Sequence, residues 1–210
     1  MTAFAMLGAE WVMWLLILLS IFCVAIILER AYYFFASRDD AQKLREAVRK
    51  RLDDGDVTGA SKVLEVSPSF EARIALSALS IAESGADSVE ERLRGEKVVA
   101  KARMERNLAF LGTVGNNAPF VGLLGTVIGI IQAFQALNDS QGQVTTGLMA
   151  TVGEALVATA IGILVALPAV AAYNYYQRVI KARLVWADAL GSDVLSHLRR
   201  ERPATYREAE

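Results

Sequence analysis

The chain reads as an all-α membrane protein with three transmembrane helices, on three observations. Apolar residues make up 54% of the 210 residues, more than a soluble domain of ordinary composition carries. The excess is gathered into three blocks, near residues 11–28, 108–137 and 144–176. At 1.5 Å per residue the first matches a hydrocarbon core of about 30 Å and the other two exceed it, so helices 2 and 3 are expected to extend past the bilayer. The charges are also segregated: fifteen Lys and Arg fall between Arg30 and Arg106, the remaining seven lie between Arg178 and Arg207, and residues 1–10 and 138–147 have none. The positive-inside rule then places the amino end outside, the segment after helix 1 inside, the short loop outside and the carboxyl end inside.

Taken in order, residues 1–36 hold the first transmembrane helix. No Lys or Arg precedes Trp11, and Arg30 follows the apolar run, which is the reverse of a secretory signal and predicts an uncleaved anchor. Trp11 and Trp14 fit one interfacial belt and Tyr32 and Tyr33 the other. The bulky run between them suits a helix facing lipid on the outside of a bundle. Cys23, the one cysteine, has no partner for an intrachain disulfide.

Residues 37–106 turn charged and helical, and are read as a small domain on the inner side. Leu44, Val48 and Leu52 recur at i, i+4 and i+8, and Gly55 stops that helix. Asp56 or Thr58 caps the next, and Ser67-Pro68 punctuates before an apolar face of Phe70, Ile74, Leu76, Leu79 and Ile81. From Asp87 the helical pattern has no proline and is expected to run unbroken into the second transmembrane helix, 107–137. A polar turn at 138–147 makes a hairpin with the third, 148–177. That helix continues past Tyr176 into a tail, 178–210, which pairs with the Asp87 segment and frays after Arg199.

The hairpin carries the candidate site. At about 100° per residue, Gly115, Ala118, Pro119, Gly122, Thr126, Gly129 and Ala133 fall on one narrow stripe, with Phe120, Leu124, Val127, Ile128, Ile131 and Phe134 on the other side. Thr151, Ala155, Thr159, Gly162, Ala166 and Ala169 repeat the device in helix 3, with Glu154 at the stripe's edge. Such faces admit close backbone approach and can line a narrow path inside an oligomer. Thr126 and Thr159 read singly as packing residues bonded to a carbonyl one turn back; paired across an interface, their hydroxyls can relay hydrogen bonds. Glu154 is the one acid between Met149 and Tyr173. It is a candidate for the ion path, the alternative being that it solvates a helix end at the outer headgroups. Pro119 and Pro168 are candidate bends or hinges. Asn116 and Asn117 are placed either to serve carbonyls freed by Pro119 or to bond across subunits.

Enzymatic readings lack parts. An aspartyl protease needs two membrane carboxylates and a metalloprotease needs histidines, and neither set can be assembled. The one histidine, His197, is expected on the surface of the last helix, and Ser20 has no membrane base to activate it. No catalytic residue, metal site, cofactor or nucleic-acid partner is expected.

The stretches GTVGNNAPFVGLLGTVIGIIQAF and GEALVATAIGILVALPAVAAYNYY, with the helix order around them, resemble the MotA/TolQ/ExbB proton-channel family, most closely its ExbB/TolQ branch. The resemblance implies a bacterial inner-membrane subunit, multi-pass and homopentameric, with protons as the coupling ion. It also implies two copies of a single-pass ExbD/TolR-like partner bearing a membrane aspartate, with a TonB/TolA-like periplasm-spanning protein as a further candidate partner. Thr126 and Thr159 match the family's pore-facing threonines and Glu154 the glutamate that opens its third-helix motif, whereas NNAPF departs from the small and hydroxyl residues usual before APF. The resulting expectation is a proton-driven motor for outer-membrane transport, envelope maintenance or gliding. The alternatives are a non-conducting scaffold and the same motor driven by sodium.

Overall fold

A computed structural model describes residues 10–201; the outside amino end and the tail beyond Glu201 concern residues outside that range, while Arg200 and Glu201, expected to fray, are helical. The described chain is all-helical: α1 (Glu10–Ala36), α2 (Ala41–Asp53), α3 (Val57–Val66), α4 (Phe70–Leu79), a 3₁₀ turn (Ala82–Ser84), α5 (Ala86–Glu105), α6 (Leu108–Asp139) and α7 (Thr146–Glu201). Three of these, containing α1, α6 and α7, are long and apolar enough to cross a membrane. The chain divides into two compact units, to each of which α1 and α7 contribute.

The first unit comprises residues 10–30 and 107–176. α1 buries Val12, Leu16 and Cys23 along one side, while Trp14, Ile17, Leu18, Ile21, Phe22, Val24 and Leu28 stay exposed. It runs antiparallel to α6, since Val12 lies against Gly125 and the Phe22 ring meets Phe110 edge-on at 6.3 Å. α1 is tied to α7 by the Tyr176 hydroxyl, which donates to the Ile27 carbonyl at 2.8 Å. Contact with α1 widens the buried arc of α6 beyond its small-residue stripe. Ile128, expected on the bulky side, is accordingly buried.

The second unit comprises residues 31–106 and 177–201 of the described chain. Leu44, Val48 and Leu52 of α2 pack with Leu64, Ile74, Leu79, Val89 and Leu93 against Leu190, Val194 and Leu198 of α7. Local signals in the sequence set the helix ends. Asp40 accepts from the Lys43 amide at 3.2 Å, Asp56 from Gly59 at 2.8 Å and Ser69 from Ala72 at 3.1 Å, each serving an amide the helix leaves unpaired. The Lys43 amide holds the Asp40 carboxyl below its ordinary range. Gly55 closes α2 at a φ of 73°, a left-handed conformation that suits glycine.

Ion pairs staple α7 to its neighbours in this unit. Arg45 grips Asp193 with two bonds of 2.6 and 3.1 Å, which raises the guanidinium further above its ordinary value. Arg200 reaches Asp53 at 3.1 Å, Arg199 reaches Glu90 at 2.8 Å, and Lys97 pairs with Asp188. Arg183 donates to the Ser37 carbonyl at 2.7 Å, the Phe34 carbonyl at 3.2 Å and Glu71 at 3.3 Å. It thereby serves the last carbonyls of α1 and neutralises a carboxylate that is only 2% exposed.

Three expectations are corrected. The helix from Asp87 is not continuous with α6: α5 ends at Glu105 and Asn107 turns left-handed at φ 63°, a conformation asparagine tolerates better than most side chains. His197 is buried, because α2 and α5 both pair with the end of α7 that carries it. Tyr33 leaves the proposed aromatic belt to pack its ring 5.2 Å from Phe70, while Tyr32 remains exposed.

Candidate ion-pathway site

α6 and α7 join through a turn, Ser140–Thr145, in which Gln141 and Gly142 take positive φ and the Thr145 hydroxyl accepts from the Leu148 amide at 3.2 Å. The two small-residue stripes face each other inside this hairpin. A Cβ on Gly162 would lie 2.6 Å from the Ala118 carbonyl oxygen, and one on Gly122 2.8 Å from that of Ala158. The same test puts Gly115 against Val170 and Gly129 against Ala155. Backbone meets backbone at Gly122 and Gly162, which only glycine permits, whereas Gly115 and Gly129 meet the side chains of Val170 and Ala155 first.

Gly115, Gly122, Gly129, Ala155, Gly162 and Ala166 are thus buried packing residues within one chain. Thr151 is partly buried and bonds back to the Gly147 carbonyl at 3.0 Å. Pro119 and Pro168 both lie inside helices, the first partly buried and the second exposed. Asn117 donates to the Thr113 carbonyl at 2.8 Å, not to that of Gly115, which Pro119 deprives of its helical donor.

Close approach brings Thr126 and Thr159 together. Their hydroxyls are hydrogen-bonded to each other, and the Gly122 carbonyl accepts from Thr159 at 3.1 Å and from Thr126 at 3.3 Å. Each hydroxyl has one proton and two lone pairs. Two donors converge on one carbonyl, so either proton can turn to bridge the pair and the other hydroxyl keeps a lone pair for a further donor.

The pair's position on the hairpin follows from helix geometry. Relative to Gly122, Gly125 lies about 60° round α6 in one sense and Thr126 about 40° round in the other. Gly125 meets Val12 and Ala158, so α1 covers its edge and the threonine pair falls on the opposite one. On α7, Tyr176, which bonds α1, is about 40° from Gly162 on the covered side, while Thr159 is about 60° round on the open side. Glu154 is exposed and lies about 80° from Gly162 on the covered side, one turn beyond the level of Val12. The structure therefore joins Thr126 to Thr159 and leaves Glu154 apart from them within a single chain.

The angular count missed Gly125, which receives α1. Its spacing of three from Gly122 was the available signal. Among the described residues no cluster of His, Cys, Asp and Glu could hold a metal ion.

The fold and site define a class: three long apolar helices, two of them closed into a glycine-packed hairpin with hydroxyls on its open edge, point to a multi-pass membrane protein. The family model described as the MotA/TolQ/ExbB proton channel family matches residues 66–186, and the chain belongs to that family. It is similar to the biopolymer transport protein ExbB of Xanthomonas campestris pv. campestris, with 36% identity over 111 residues, or 53% of this chain and 44% of the relative. The ExbB of Neisseria gonorrhoeae is 37% identical over 108 residues, 51% of this chain and 48% of the relative. The Tol-Pal system protein TolQ of Pseudomonas aeruginosa is 46% identical over 74 residues, 35% and 32% of the two chains. The chain spans about half or less of the length of these relatives.

Proposed function

We propose that this chain is the stator and proton-channel subunit of an inner-membrane motor, working as a homopentamer around two copies of an ExbD/TolR-like partner. Proton-motive force drives the assembly, and its mechanical work serves outer-membrane transport, envelope maintenance or gliding, with a TonB/TolA-like protein as the element that would carry force across the periplasm. The amino end faces the periplasm, residues 37–106 and 178–210 the cytoplasm, and 138–147 the periplasm, on the charge asymmetry of the sequence.

The observation that carries this reading is the Thr126–Thr159 pair on the hairpin edge that α1 leaves open. A hydroxyl relay passes hydrogen bonds without ionising, and its edge is free to face a central partner. The described membrane helices offer no carboxylate beside that pair, so the group that binds and releases the proton belongs to the partner helix. Glu154, exposed near the outer end but on the opposite side of α7 from Thr159, would join the path only from a neighbouring copy of the chain. No catalytic residue and no cofactor enter this account; the proton is the coupling ion. One charge crossing 100 mV releases about 2.3 kcal/mol, so several crossings would drive one substantial mechanical step.

Reconstitution tests it. Vesicles holding the chain together with its partner should acidify under an imposed potential, at a rate independent of sodium at fixed pH, and vesicles holding the chain alone should not. Sodium dependence would replace the coupling ion, and an absence of flux with both proteins present would leave a scaffold.

A further inference from the structure

The hairpin carries two amides for which the proton relay gives no role. Asn116 on α6 and Asn174 on α7 are exposed, and among the described residues neither side chain has a hydrogen-bond partner. Both lie at membrane depth. α6 meets α1 at Phe110–Phe22 and again at Gly125–Val12, so Asn116, between those contacts, is level with about Ile17 in the middle of the apolar run of α1. Gly112 lies against Tyr173, which puts Asn174 nearly level with Gly112, still within that run.

The two amides also share an edge with the threonine pair. Counted from Gly122, Asn116 is about 120° round in the sense of Thr126; counted from Gly162, Asn174 is about 120° round in the sense of Thr159. Both therefore point away from α1. Side chains lean toward the amino end of their own helix, and α6 and α7 are antiparallel, so the two amides lean toward each other along the membrane normal. An amide with two donors and an acceptor has no partner in hydrocarbon, and membrane helices place such groups against protein or water.

We propose that Asn116 and Asn174 line a water-filled inlet that runs along the open edge of the hairpin from its inner end toward Thr126 and Thr159. The ligand is water, held as a hydrogen-bonded chain; only its use as a proton route rests on the function proposed above. Lining by amides suits that use, because an amide orients water without itself gaining or losing a proton near neutral pH.

Cysteine accessibility in the full-length chain in membranes, with its partner and Cys23→Ser as background, tests the inlet. Asn116→Cys and Asn174→Cys should react with a membrane-impermeant cationic methanethiosulfonate added from the inner side. Ile17→Cys, level with Asn116 on the exposed side of α1, should react only with a lipid-soluble maleimide. Asn116→Leu and Asn174→Leu should lower proton flux while oligomer size is unchanged. If both introduced cysteines resist the cationic reagent as Ile17→Cys does, the amides face lipid or the seam between copies and the inlet is overturned. If both are labelled while the unsubstituted complex conducts no protons, the inlet stands and the motor reading fails.

Discussion

Substituting Gly162 by alanine strikes the hairpin where it has least room. The added methyl would sit 2.6 Å from the Ala118 carbonyl oxygen and 3.0 Å from the Gly122 Cα, roughly 1 Å short of ordinary contact. Both obstacles are backbone, so no rotamer change relieves them and α6 must move away from α7. A gap of 0.5–1 Å forfeits about a quarter to a half of each dispersion contact along the seam, and the Thr159 bond to the Gly122 carbonyl stretches with it. Overpacking of this kind costs about 1–3 kcal/mol, against a helix-propensity gain of up to about 1 kcal/mol for glycine to alanine. Gly153→Ala in the same helix supplies the reference, because nothing lies within 4 Å of its new methyl. Unfolding of the dilute chain in mixed micelles should place Gly162→Ala below Gly153→Ala by about 2 kcal/mol. Equal stability of the two variants would refute the close approach on which the threonine pair depends.

Further outcomes follow from other contacts. Arg183→Ala should lower the stability of the second unit by about 3–5 kcal/mol, since it strands a buried carboxylate; Glu71→Gln, which removes that charge, should cost less, and thermal unfolding of the two variants checks the order. Tyr176→Phe removes the 2.8 Å bond to the Ile27 carbonyl and should cost about 0.5–1.5 kcal/mol, read as faster hydrogen exchange in α1. Asp40 titrates below its ordinary value when folded, so its stabilisation of α2 is fully present above the unfolded value and is lost as pH falls through the depressed one. Protection of the Lys43 amide should therefore be equal at pH 7 and 5 and drop under stronger acid, and Asp40→Ala should abolish that drop.

How much of this was legible in the sequence depends on the range of the interaction concerned. Long apolar runs announce α1, α6 and α7, because their length and composition are set by residues close in sequence. The caps at Asp56 and Ser69 are local chemistry and lie where the punctuation suggested. The facing of Gly122 and Gly162 could be anticipated as a close approach, but its destination inside one hairpin could not, since a smooth stripe does not name its partner. The break at Asn107 escaped notice because asparagine is unremarkable within a helix and no glycine or proline marks the turn. Burial of His197, and of Glu71 beneath Arg183, arises from contacts across more than a hundred residues, beyond the reach of periodicity. Periodicity put Glu154 at the edge of its stripe and the structure leaves it exposed, but which edge α1 covers required the packing of three helices.

The most direct measurement is proton flux through vesicles containing the chain and its partner, compared with Thr159→Val, a substitution of similar shape that deletes one hydroxyl of the relay. Flux should fall about tenfold or more, equivalent to at least ~1.4 kcal/mol on the barrier, with oligomer size and hairpin stability unchanged. Undiminished flux through an intact Thr159→Val assembly would contradict the relay, because the proton would then pass without the threonine pair.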